Sequence, residues 1–97
     1  MVTDAQLDTF LAGCKARREA YNVESGYTDA TVTMGFRRAS RYIKVFMNNS
    51  IFCFIDQNGD ILKPASFNVP AKHARGNLND DKQGLGLIGP YGPAYLR

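Results

Sequence analysis

The chain has 97 residues, a formal charge of +3 and a hydrophobic fraction of 44%. Such a length predicts a single domain over 1–97 with no room for a second core. No apolar run approaches about 18 residues, and the N-terminus lacks a basic-then-apolar pattern, so we expect no membrane span, no signal peptide and an intracellular location.

Residues 1–26 predict a helix and its connection to the next element. Thr3 and Gln6 form a capping-box pattern, which is typical of a helix start. Apolar residues then recur at the spacing of one helix face, namely Leu7, Phe10, Leu11, Cys14 and Tyr21. We expect a helix from Thr3 to Tyr21 that covers one face of a sheet.

Residues 27–66 predict that sheet. The segment 28–36 is rich in β-branched residues, 41–47 alternates in polarity, and 51–55 is apolar on both faces, which favours a central strand. Asn48-Asn49 and Asn58-Gly59 suit two-residue turns. The last strand should end at Pro64, which has no N–H to donate.

Residues 67–97 predict a basic loop followed by an irregular tail rich in Gly and Pro that packs back on the domain. The segment 71–75 is compatible with one helical turn. The predicted fold class is therefore α+β, with the N-terminal helix packed on a three- to four-stranded antiparallel meander. The strands at Thr28 and Asp60 would be its edges, through which a homodimer could pair.

Several motifs resemble functional sites but have simpler explanations. The loop 56–60 begins like a calcium loop, yet the glycine and glutamate of an EF-hand are replaced by Ile61 and Phe67. The G-x-G-x-x-G pattern at 84–89 is followed at once by Pro90, which prevents a dinucleotide-binding helix. Cys14 and Cys53 fit two buried thiols, with a disulfide left open. We expect no metal, no cofactor and no catalytic residues.

The strongest functional indication is a cluster of positive charge. The stretch 37–75 carries seven basic side chains and two acidic ones, whereas the remainder is net negative. Such asymmetry indicates either a polyanion-binding face or the solvated side of a sheet. If it binds nucleic acid, the contacting residues would be Arg37, Arg38, Arg41, Tyr42, Lys44, Lys63, Lys72, His73 and Arg75, with Tyr42 stacking on bases.

The segment 52–77, FCFIDQNGDILKPASFNVPAKHARGN, resembles a family of small uncharacterised proteins of tailed bacteriophages. The likeness spans about residues 41–78 and returns at the closing GPYGPAYLR. The resemblance implies a phage origin and brings no known activity or catalytic residue with it.

These observations favour a non-enzymatic phage accessory protein that binds nucleic acid in the host cytoplasm. Five phosphate contacts to a single strand would give log K against log salt a slope of roughly −3.5. The alternatives are a protein-binding inhibitor of a host or defence protein, and a minor component of the virion.

Overall fold

A computed structural model describes residues 2–26, 31–66, 69–86, 88–89 and 92–93. Its single described helix precedes a five-stranded antiparallel sheet in which the strands lie in chain order. The elements are α1 (Asp4–Glu24), β1 (Met34–Arg38), β2 (Tyr42–Met47), β3 (Ser50–Asp56), β4 (Asp60–Pro64), β5 (Pro70–Asn77) and a separate pair, β6 (Ile88–Gly89) and β7 (Gly92–Pro93). The predicted α+β class is confirmed.

The predicted capping box starts α1. The Thr3 hydroxyl accepts the Gln6 N–H at 3.1 Å, and the Gln6 side chain accepts the Thr3 N–H at 3.0 Å. These two bonds satisfy backbone donors that a helix start leaves unpaired. The helix continues to Glu24, one turn beyond the predicted end, before Gly26 adopts φ +81°.

Both predicted turns form. Asn48 adopts φ 57° between β2 and β3, and Gly59 adopts φ 89° between β3 and β4. The predicted central strand, β3, lies third of five. Residues 28–30 of the predicted first strand lie outside the described residues, and β1 begins only at Met34.

The stretch 70–77 forms a fifth strand, where the sequence suggested a loop with a helical turn. Ala74 pairs with Leu62, and Asn77 pairs with Asp60, with register shifts between the paired positions. Because β5 pairs with β4 on one side only, it tolerates Pro70 and the irregular register. The predicted edge at Asp60 is therefore wrong, since the sheet edges are β1 and β5.

The core lies between α1 and one face of the sheet. Alternate β2 residues Ile43, Val45 and Met47 are buried there with Leu7 and Phe10 of the helix. The intervening β2 side chains therefore point to the opposite, distal face. They are Tyr42, Lys44 and Phe46, all half-buried. This packing answers which face the helix covers, a question that alternation alone leaves open.

Both cysteines belong to this core as free thiols. Cys14 and Cys53 are fully buried. Burial raises the pKa of Cys14 to about 12, against a smaller opposing effect of Arg17, and burial also raises the pKa of Cys53, with Cys14 adding to the shift. The thiols therefore act as small apolar groups.

Asp80 organises the turn that follows β5. Its Oδ1 accepts the N–H groups of Gly84 at 2.9 Å and Lys82 at 3.0 Å, and its Oδ2 accepts that of Asn77 at 3.1 Å. The hydrogen bonds from Gly84, then Asn77, lower the pKa of Asp80 below its ordinary value of 3.8. Charged Asp80 is thus the form that closes this turn.

We expect Asp80→Asn to lower the melting temperature at neutral pH, because an amide oxygen replaces the carboxylate that collects three N–H donors. A lowered folded-state pKa stabilises the fold at pH values above the unfolded pKa. That stabilisation is lost as pH falls through the folded pKa. The difference in melting temperature between wild type and Asp80→Asn should therefore shrink below about pH 4 in thermal scans.

The matched control for this experiment is Asp81→Asn, which removes the same charge from the exposed neighbouring residue. A wild-type advantage over Asp80→Asn that stays constant from neutral pH to about pH 2.5 would contradict the assignment.

Candidate nucleic-acid interface

Two basic residues face each other across the β1–β2 hairpin. Arg37 is the direct partner of Lys44, and their neighbours Phe36 and Val45 pack against the core, so both charges lie on the distal face. Arg37 is exposed and Lys44 is half-buried. Two cations on paired strands make this part of the distal face locally positive, which favours contact with an anion.

An aromatic platform adjoins this pair. The Tyr42 ring packs edge-on against Phe54, with ring centres 5.9 Å apart and planes at 72°. The guanidinium carbon of Arg41 lies 5.6 Å from the centre of the Tyr42 ring. An exposed cation over an aromatic ring offers both charge for a phosphate and a planar surface for a base. We call Arg37, Arg41, Tyr42 and Lys44 the hairpin patch.

Arg38 points to the other side of the sheet. It lies opposite Ile43, a core residue. Its Nη2 donates to Asp4 Oδ1 at 2.7 Å and to the Val2 carbonyl at 3.2 Å. Arg38 therefore joins the start of α1 to β1 and is separated from Arg37, its neighbour in sequence, by the sheet itself.

Lys63 and Arg75 also make structural contacts. The Lys63 ammonium donates to the Pro93 carbonyl at 3.0 Å and so ties β4 to β7. Arg75 is only 7% exposed, and its guanidinium donates to the His73 carbonyl. A phosphate contact requires an accessible guanidinium, so this burial speaks against the role expected for Arg75 from the sequence.

Lys72 and His73 are exposed on β5, the edge strand farthest from the hairpin patch. Four strand spacings separate β1 from β5, a distance of roughly 19 Å. The sequence suggested one polyanion-binding face, whereas the fold divides those residues into three groups. They are the hairpin patch, the edge pair Lys72 and His73, and the side chains with internal contacts, Arg38, Lys63 and Arg75.

A cleft lies beside the hairpin patch, at the end of the sheet where the β1–β2 and β3–β4 turns meet. Its volume is about 490 Å³. The Gln57 side chain bridges the two turns by donating to the Ser40 carbonyl at 3.3 Å. We call this cleft the end cleft. Its lining residues are Val2, Arg38, Ala39, Arg41, Tyr42, Ile43, Ile55, Gln57 and Asn58.

The sequence placed Gln57 and Asn58 in a hairpin turn that begins like a calcium loop, and gave them no contact with nucleic acid. A meander turns at the same end at every second hairpin, which is the signal that could have placed these amides beside Arg41. The neighbouring Asp56 carboxylate serves the turn, since its Oδ1 accepts the N–H groups of Asn58 at 2.9 Å and Asp60 at 3.0 Å. The resemblance to a calcium loop is thus explained by the hairpin.

Within the described parts of the chain, no group of three or more His, Cys, Asp or Glu side chains is placed to hold a metal ion. No helix there is both long and apolar enough to cross a membrane.

Comparison with known families gives one match. The model of a family of unknown function (DUF7717) matches residues 4–89, which include α1, the whole five-stranded sheet and β6. No curated protein and no solved structure matches the chain. The hairpin patch and all of the end cleft except Val2 lie within the matched region.

Proposed function

The chain belongs to the DUF7717 family of unknown function, and from its own surface we propose that it is a non-enzymatic protein that binds single-stranded nucleic acid through the hairpin patch. The observation that carries the proposal is the Arg37–Lys44 cross-strand pair beside the Arg41–Tyr42 stack. Cations supply sequence-independent affinity for phosphates, and a planar surface supplies stacking for unpaired bases.

A single strand suits this surface better than a duplex. In a duplex the faces of the bases are stacked on each other, so an aromatic ring or guanidinium on a sheet cannot reach them. A single strand can lay its phosphates along Arg37, Arg41 and Lys44 and turn a base toward the Arg41–Tyr42 stack. From the resemblance of segment 52–77 to tailed-phage proteins, we propose further that this activity belongs to the cytoplasm of an infected bacterium.

Fluorescence anisotropy of labelled oligonucleotides tests the proposal. Single-stranded DNA, single-stranded RNA and duplex DNA would be titrated with the protein at about 50 to 300 mM salt. Three phosphate contacts predict a slope of log K against log salt of roughly −2 for a single strand. Absence of binding at the lowest salt concentration, or an affinity that does not change with salt concentration, would contradict the proposal.

The double substitution Arg37→Ala/Arg41→Ala should weaken single-strand binding roughly tenfold at about 100 mM salt and make the salt slope shallower by about 1.4. The reason is the loss of two phosphate contacts and of the cation over Tyr42. Anisotropy titrations at several salt concentrations measure both quantities.

The control is Lys15→Ala/Arg17→Ala, which removes the same charge from exposed positions on α1. It should retain the wild-type affinity and slope to within about twofold. If both double variants weaken binding equally, the protein attracts nucleic acid through its net charge alone and the hairpin patch is not the site.

A further inference from the structure

We infer that the end cleft receives one unpaired nucleobase of the bound strand, while the phosphate of that nucleotide lies on Arg41. This inference rests on the proposed function and specifies how the hairpin patch engages a base. It assigns a role to side chains outside the patch, on the β3–β4 turn.

The size and the floor of the end cleft suit a flat ring. Its volume of about 490 Å³ falls within the roughly 300–1,000 Å³ of small-molecule pockets. Val2, Ile43 and Ile55 are its apolar lining residues, of which Val2 and Ile43 keep 4% and 6% of their surface exposed and Ile55 is fully buried. A nucleobase presents two apolar faces and a polar edge, so it can cover such a floor without burying its hydrogen-bonding groups.

The β3–β4 turn contributes groups that match a base edge. The Gln57 Nε2 donates to the Ser40 carbonyl at 3.3 Å, which orients the Oε1 of the same amide as an acceptor. Asn58 also lines the cleft, and its side chain is an amide with both a donor and an acceptor. Side-chain amides of this kind pair with the edges of unstacked bases.

The charges of the end cleft set the orientation of the nucleotide. Arg38 is already paired with Asp4 at 2.7 Å, so the side of the cleft that Arg38 lines carries an anion beside its cation. Arg41 is exposed and lies over Tyr42. A phosphate is therefore favoured at Arg41, within the hairpin patch, and disfavoured beside Arg38, near the Asp4 carboxylate.

Ala39→Leu tests the inference because it fills the end cleft without changing any charge. Ala39 is exposed, and its backbone N–H bond to the Tyr42 carbonyl does not depend on the side chain. Two probes would be compared by anisotropy: a single-stranded decamer of deoxythymidylate and a decamer of the same length that is abasic at every position.

We expect Ala39→Leu to weaken binding of the thymidylate decamer at least about fivefold, the loss of one stacked base. The abasic decamer should bind Ala39→Leu and wild type equally. The matched control Ala16→Leu makes the same change on the exposed side of α1 and should leave both affinities unchanged. Asn58→Ala gives a second readout that removes the amide without filling the cleft, with weaker binding of the thymidylate decamer only.

Equal binding of the thymidylate decamer by wild type, Ala39→Leu and Asn58→Ala would overturn the inference while leaving the proposed function intact. An equal loss for the abasic decamer would overturn it too, because the cleft would then act on the backbone and not on a base. If wild type binds no oligonucleotide at low salt, the proposed function fails and the inference fails with it.

Discussion

Replacement of Phe54 by alanine is expected to lower the free energy of unfolding by about 3–5 kcal/mol. Phe54 is 1% exposed, although it lies on the distal face of the sheet, opposite Lys44 on β2 and Leu62 on β4. Its loss removes a buried ring and the edge-on contact with Tyr42. Since small domains are stable by only about 5–15 kcal/mol, much of the stability would be lost.

Phe54→Leu is the matched control for that variant. It keeps most of the apolar volume and should cost less than about 1.5 kcal/mol. Urea denaturation followed by circular dichroism measures both variants, with the slope of the transition checked for constancy. A loss below about 1 kcal/mol for Phe54→Ala would mean that Phe54 is dispensable for folding despite its burial.

The Phe54 variants also bear on the binding surface. Tyr42 is half-buried and its ring leans on Phe54. The aromatic platform of the hairpin patch is thus supported from within the sheet, so Phe54→Leu should retain the fold while loosening the platform. Weaker binding by a Phe54→Leu protein that is still folded would therefore be a binding defect and not a result of unfolding.

Gly84→Ala should lower the free energy of unfolding by about 2–4 kcal/mol. Two effects combine at this position. Gly84 has φ +84°, and a Cβ added there would lie 2.4 Å from Cδ1 of Ile61, a fully buried residue of β4. The methyl group therefore meets the core while the backbone adopts a conformation that side chains disfavour.

Two other glycines separate these effects in the same denaturation experiment. Gly26 has φ +81° with open space around it, so Gly26→Ala reports the backbone cost alone, about 1 kcal/mol. At Gly86 an added Cβ would lie 3.2 Å from Cδ of Lys82, a flexible exposed side chain, and the change should stay within about 0.5 kcal/mol. Equal effects at Gly84 and Gly26 would show that Ile61 moves away at no cost.

Gly84 also explains the glycine-rich motif of the tail. Gly84 is the first residue of that motif. Its N–H donates to Asp80 at 2.9 Å, and its backbone packs closely against Ile61 of β4. The literal dinucleotide-binding pattern thus reflects close packing of backbone against the core. The sequence excluded a nucleotide loop here because of Pro90, but it carried no sign of which strand the glycine would touch.

About half of the proposed site could be predicted from the sequence. Arg37, Arg41, Tyr42 and Lys44 were expected from the mixture of charge and aromatic residues, and they do lie together on one hairpin. The two amides of the end cleft were missed because Gln57 and Asn58 also suit a turn. Arg38 was grouped with Arg37, although alternation along a strand places neighbouring residues on opposite faces.

The sequence by itself determined the elements that depend on short-range interactions. The Thr3–Gln6 capping box, the helical stripe on α1 and the Asn58-Gly59 turn each involve residues a few positions apart, so their local chemistry is sufficient.

The tertiary structure alone decided the rest. Pro70–Asn77 becomes a strand because β4 offers it a free edge, and Arg75 is buried because that pairing holds it against the domain. The helix packs on the face of the sheet that carries Ile43, which leaves Tyr42 and Lys44 on the distal face. Such outcomes depend on contacts between residues far apart in sequence, whose free energy appears only when the whole sheet is assembled.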